Sequence, residues 1–327
     1  MRSDVAAAIE QGDLDELIRL VDRLCAAEDW DGLAELRERC HRAHERSGRQ
    51  LWPAAAHAEY RLALEAPGSW AARVLVEGAG RFTPGPLSEV AASTHEWGDL
   101  APHLPSGPPA GLTAHERVLR GEDLTAAAVP GPAVLDLPLR LEPWEPAYSL
   151  AEYRAHEADF PAPALPRLEP VTLPPGRGRG SDRDGVDALL GVVEAWVADS
   201  AGRADATVVD GGALEAIATL GAGRARLGTL DGADALAVLA WAGSAGGVHG
   251  RRRGAAAGRF AAWWAAAAVS GRLDPWPPDP AALGETVSRL RWFVWDAGEP
   301  VTGWVLRVAV EDPDAGRAWA LDARDPG

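Results

Sequence analysis

Residues 243–264, GSAGGVHGRRRGAAAGRFAAWW, gather the side chains with the most obvious capacity for chemistry. A glycine-rich stretch leads to His249 and three consecutive arginines, Arg251, Arg252 and Arg253, and a small-residue run reads as a helix starting near Gly254. Guanidinium forks and the N–H groups of a helix start both favour an anion. The helix macrodipole disfavours cations at that end by roughly a few tenths of a kcal/mol each. No acidic residue occurs between Asp234 and Asp274, whereas Arg251, Arg252, Arg253, Arg259 and Arg272 all fall inside that interval. His249, Arg251, Arg252, Arg253 and Gly254 therefore form a candidate anion site for a phosphate or carboxylate. The competing reading pairs these arginines with Asp and Glu from elsewhere in the chain, or leaves them to water.

Other chemistry falls short of its pattern. Ala242 to Gly246, AGSAG, lacks the first glycine of a nucleophile elbow, and the segment before Ser244 is spaced as a helix where an elbow needs a strand. Ala245, Gly247 and Gly250 give A-x-G-x-x-G in place of a dinucleotide fingerprint. ATVVDGGALEA, residues 206–216, reads as strand, glycine turn and helix, which is ordinary turn chemistry. There is no Lys, so phosphate-loop, Schiff-base and Ser-x-x-Lys mechanisms are excluded; there is no Asn, so a Cys-His-Asn protease is excluded too. Cys25, Cys40, His41 and His44 do not fit a zinc ligand pattern, and the two cysteines read as buried free thiols. No metal site and no cofactor is expected, no catalytic residue is assigned, and the balance leans away from an enzyme. Seven of the eight His precede residue 157 and are read as surface or hydrogen-bonded residues.

Helices must position most of these residues. Over residues 1–129 apolar side chains recur at helical spacing: Leu14, Leu17, Ile18, Val21 and Leu24 behind the D-x-x-E cap of Asp13 and Glu16, then Leu33, Leu36, Cys40 and Ala43 on a helix from about Asp31 to Ser47, ended by Gly48. Pro53 opens a third helix through Ala56, Tyr60, Ala63 and Leu64, Ser69 caps a fourth, Pro86 opens a fifth, and Thr113 with Glu116 forms a capping box for a short helix near Arg117 to Leu119. Short turns between such helices give a stack of helical hairpins, solenoid-like but without a fixed repeat.

Residues 130–185 form a Pro-rich strap and linker. Pro occurs eleven times from Pro130 to Pro175, which excludes long helices and central strands. A strap as far as about Phe160, with Leu135, Leu137, Trp144, Tyr148 and Tyr153 to bury, is expected to give way to a mobile stretch from about Pro170 to Asp184. Residues 186–327 read as an α+β domain. An apolar stripe from Val186 to Val197 leads to a helix capped by Asp231, a second with Gly250, Gly254, Gly258, Ala262, Ala266 and Ser270 every four residues as a close-packing ridge, and a three-stranded antiparallel meander over about 289–324. Eight of the fourteen Trp lie between Trp241 and Trp319, where packing between sheet and helices uses them best. The fold expected is mainly α with a C-terminal α+β part.

The balance of 32 basic and 48 acidic residues gives a net charge of −16, which disfavours nucleic acid and anionic membrane as partners. The longest apolar run, Phe260 to Val269, is half a membrane span, and acidic residues interrupt the first helix, so a cytoplasmic chain is expected. The phrases QLWPAAAHAEYRLALEAP, GAGRFTPGPLSEVAASTHEW, GVHGRRRGAAAGRFAAWW and WDAGEP to AVEDP resemble a family of uncharacterised actinobacterial proteins. That resemblance implies no activity, ligand or site residue. The expectation is a non-enzymatic cytoplasmic interaction protein that uses its helical region to bind a protein partner. The alternative is an anion- or nucleotide-phosphate-binding enzyme or sensor, with a small anionic ligand at 243–254.

Overall fold

The computed structural model describes residues 2–47, 50–300 and 302–327. They divide into two compact units: residues 1–134 with 151–159, and residues 135–150 with 160–327.

The first unit is helical: α1 (Arg2–Gln11), α2 (Leu14–Ala26), α3 (Trp30–Ser47), α4 (Trp52–Glu65), α5 (Gly68–Ala71), α6 (Leu87–Thr94), α7 (Trp97–Leu100) and α8 (Pro108–Leu119). Asp13 caps α2, its carboxylate accepting from the Glu16 N–H at 3.0 Å. The Glu16 side chain does not return to the cap; it bonds Arg19 and Arg23. Pro53 stands in the first turn of α4, where its missing N–H costs nothing. This helix is the hub of the unit, packing on α2, α3 and α6.

Two expected caps are corrected. Ser69 lies inside the single turn of α5, which begins after Pro67. Thr113 and Glu116 lie in the middle of α8, where the Thr113 hydroxyl donates to the Pro109 carbonyl and Glu116 pairs with Arg120. The helix starts earlier because Gly107 takes φ 156° and Pro108 supplies a preset helical φ. Gly48 lies outside the described residues.

A short hairpin completes this unit. Strands β1 (Glu152–Arg154) and β2 (Glu157–Asp159) pair antiparallel around a two-residue turn, Ala155–His156. The Tyr153 hydroxyl donates to Glu89 at 2.7 Å, and that of Tyr60 on α4 donates to the Arg154 carbonyl at 2.5 Å.

The second unit is α+β. Its order is β3 (Glu169–Val171), α9 (Arg183–Val192), α10 (Glu194–Ala198), β4 (Arg203–Asp210), α11 (Ala213–Thr219), β5 (Ala225–Leu230), α12 (Gly232–Ser244), α13 (Ala255–Val269), α14 (Pro280–Arg289), β6 (Arg291–Asp296), β7 (Trp304–Asp312) and β8 (Arg317–Asp325). The meander β6–β7–β8 is the middle of a wider sheet of order β3-β5-β6-β7-β8-β4, antiparallel throughout. One face buries Val208, Trp292, Val308, Trp319 and Leu321 against α9, α12, α13 and α14; the other packs Val209, Ala309 and Ala320 against α11.

Two features depart from the expected linker. Residues 169–171 add an edge strand, the only kind that tolerates Pro170, and the segment expected to be mobile is tied down by Gly180 N–H on the Val208 carbonyl and Arg179 on Asp205. Residues 135–150 are held by one ion pair with no solvent exposure. Arg259 of α13 makes a two-pronged contact with Glu145 at 2.7 Å each and also donates to the carbonyls of Pro138 and Arg140. Trp263 and Tyr148 donate to the same carboxylate at 2.9 and 2.7 Å. Burial pushes the Glu145 carboxyl upward, but Arg259 outweighs it and holds the group below its ordinary pKa. The ridge of small residues holds within α13 at Gly258, Ala262 and Ala266, where a Cβ on Gly258 would stand 2.1 Å from the Ala240 carbonyl of α12; Gly250 and Gly254 precede the helix.

Candidate functional site

The Gly/His/Arg segment joins α12 to α13. Gly254 is the residue before α13, with φ 97°, and its N–H and that of Arg253 point back to the Ser244 carbonyl at 3.3 and 2.8 Å. The Arg252 guanidinium contacts Ser244 Oγ at 3.2 Å and lies over the Phe160 ring at 4.7 Å. The side chains of Arg251, Arg253 and His249 are exposed. The anion found at the glycine loop is internal: the buried Asp325 carboxylate accepts from the Val248 N–H at 2.6 Å, and a Cβ on Gly247 would run into it. Arg259, the fourth arginine of the acid-free interval, is the one committed to Glu145.

A second charged region lies on the sheet beside α11. Arg307, buried, meets Asp322 at 2.8 Å and Glu299 at 3.3 Å, and Arg324 meets the same two carboxylates at 2.8 and 3.0 Å. Within this cluster the two guanidiniums and two carboxylates neutralise one another.

The helical unit holds a different kind of pocket. About 330 Å³ in volume, it is walled by Trp52, Tyr60 and Phe82, with His57 and His156 at its side. Trp52 and Phe82 lie in tilted contact, with ring centroids 4.1 Å apart and planes at 36°, and stay 38% and 54% exposed. On α4 the spacing His57, Tyr60, Arg61 and Glu65 sets these residues on neighbouring positions of one side, and the hairpin turn brings His156 across. The imidazoles of His57 and His156 lie 5.8 Å apart, and their Nε2 atoms stand 3.9 and 3.4 Å from Oδ1 of Asp22 on α2. Arg61 donates to the same oxygen at 2.5 Å and is clamped from behind by Glu65 at 2.8 Å. Burial lowers the His57 pKa, and the Arg61 charge adds to the effect. Its Nε2 is buried and has no hydrogen-bond partner.

No spacing rule reaches this group. Asp22, His57 and His156 belong to two helices and a hairpin turn, and nothing local ties them. Of the set Cys25, Cys40, His41 and His44, the two cysteines are buried free thiols. Burial raises both thiols to about 12, which keeps them protonated, and His41 meets the buried Glu59 at 3.1 Å. The side chain of His44 lies outside the described residues.

The chain belongs to DUF6183, a family of unknown function whose model matches residues 15–327. No curated protein and no solved structure matches it. Among the described residues no helix is long and apolar enough to cross a membrane.

Proposed function

We propose that the chain is a non-enzymatic binding protein whose helical unit takes an apolar side chain of a protein partner into the pocket of Trp52, Tyr60 and Phe82. The observation that carries this is the exposed pair Trp52 and Phe82, in tilted ring contact at the pocket. Exposed large aromatics beside a cavity are what interaction hot spots are made of, because they bury much area at little entropic cost. A net charge of −16 selects for a basic segment in that partner. The buried free thiols Cys25 and Cys40 fit a reducing, cytoplasmic setting. A displayed peptide library selected on the chain should yield peptides sharing an aromatic or large aliphatic residue next to Arg or Lys. Trp52→Ala and Phe82→Ala should weaken them at least roughly tenfold, the usual cost of losing a hot spot. Failure to enrich any sequence, or equal binding by both variants, would reject the reading.

A second reading, an anion site at 243–254, is favoured by Arg253 and His249, whose exposed side chains have no partner among the described residues. It requires that inorganic phosphate or pyrophosphate raise the melting temperature, and that Arg251→Ala/Arg252→Ala/Arg253→Ala abolish the rise. A parent protein that does not respond removes this reading.

A further inference from the structure

We propose that Asp22, His57 and His156 form a binding site for a divalent transition-metal ion, with its remaining coordination positions open to solvent and to the aromatic pocket. The reading stands on the geometry of these three residues and does not depend on the peptide-binding reading.

The three ligand atoms, one from each residue, lie within 4.8 Å of one another. Tetrahedral coordination with bonds of about 2.0–2.1 Å places ligand atoms about 3.4 Å apart. The Asp22 to His156 separation of 3.4 Å already has that value, and the Asp22 to His57 separation of 3.9 Å needs only a few tenths of an ångström of closure.

Three further observations point to a cation. The buried Nε2 of His57 makes no hydrogen bond, a costly arrangement that a Lewis acid would relieve. Two carboxylates, Asp22 and Glu65, face a single guanidinium, Arg61, so the cluster keeps a negative charge. Arg61 donates to the same Asp22 oxygen that faces the two imidazoles, and so orients that carboxylate as hydrogen-bonding partners of ligands do around metals.

Two imidazoles and one carboxylate favour Zn²⁺, Fe²⁺, Co²⁺ or Ni²⁺ over Mg²⁺ and Ca²⁺, which prefer all-oxygen ligand sets. His156 is 63% and Asp22 36% exposed, which leaves one side free for water or for a donor atom of a ligand. Three protein ligands with an open position is the arrangement of ions that bind or activate a further molecule, as opposed to closed structural sites.

The test uses the full-length, tag-free chain after treatment with a chelator, titrated with Zn²⁺ by calorimetry and with Co²⁺ by visible absorption. One equivalent of each should bind, and Co²⁺ should give ligand-field bands of a four- or five-coordinate site. His156 sits in an exposed turn, so His156→Ala keeps the fold while weakening Zn²⁺ at least roughly tenfold, and His57→Gln/His156→Ala removes saturable binding. Absence of saturable binding by the parent chain overturns the proposal. So does binding that is unchanged in the folded double variant, or Mg²⁺ binding as tight as Zn²⁺.

Discussion

At the scale of single residues, the ion pair of Arg259 and Glu145 has no solvent exposure on either side chain. Removing one partner leaves a charge without water or counter-charge. Arg259→Ala should lower stability by about 3–5 kcal/mol in denaturant titration. The pH dependence follows from the lowered carboxyl of Glu145. Its stabilisation is complete above the ordinary carboxylate pKa, near 4.5, and is lost as pH falls through the lower folded value. The stability gap between the parent and Glu145→Gln should therefore be constant at pH 6–7 and shrink below about pH 4.5. A gap that is still undiminished at pH 3 would show that the charge on Glu145 is not what stabilises the strap. The anion expected beside the Arg run is met, for Arg259, by this carboxylate from a segment read only as a strap.

At the scale of elements, the contact between α12 and α13 sets a sign that helix propensity alone gets wrong. Gly258→Ala gains about 1 kcal/mol of intrinsic helix preference. The added methyl, however, would stand 2.1 Å from the Ala240 carbonyl and 3.0 Å from the Ser244 Cβ, so the helices must separate. Overpacking of this kind costs about 1–3 kcal/mol, and the variant should unfold at lower denaturant than the parent. Equal or greater stability would mean that the two helices yield without cost.

Elements with local signals were legible in the sequence. Asp13 and Asp231 cap their helices as the spacing indicates, since a cap needs only the first turn behind it. The box of Thr113 and Glu116 misleads because the same i, i+3 pair fits the middle of a helix, where Thr113 bonds back to Pro109 instead. Strands β3 and β5 carry short sequences, EPV and ARLGTL, with too few large apolar residues to show alternation, so of the sheet only the meander and the strand of ATVVD, now β4, were visible. The Asp22, His57 and His156 group depends on where a hairpin docks, and no residue near His156 in sequence records that.

At the scale of the whole molecule, the first unit is discontinuous: the chain leaves it after Val134, contributes 135–150 to the second unit, and returns for 151–159. The returning hairpin supplies partners to the helical unit, the Tyr153 hydroxyl for Glu89 and the Arg154 carbonyl for Tyr60, whose own hydroxyl burial has raised to about 12. A fragment of residues 1–159 should therefore be more stable than one of residues 1–134, by the worth of one buried and one partly buried hydrogen bond, about 1–3 kcal/mol. Identical melting of the two fragments would mean that the hairpin does not support the helices it touches.

The buried pair of the strap also has a consequence in time. Glu145 and Arg259 are 114 residues apart in the chain. At a synthesis rate of about 5–20 residues per second, Glu145 leaves the ribosome roughly 6–23 s before the Arg259 guanidinium it is buried with. Throughout that interval the strap has an ionised side chain suited to water and no core to enter. Its docking is therefore deferred until α13 has been made, and the nascent helical unit must keep its Pro-rich continuation solvated while it waits.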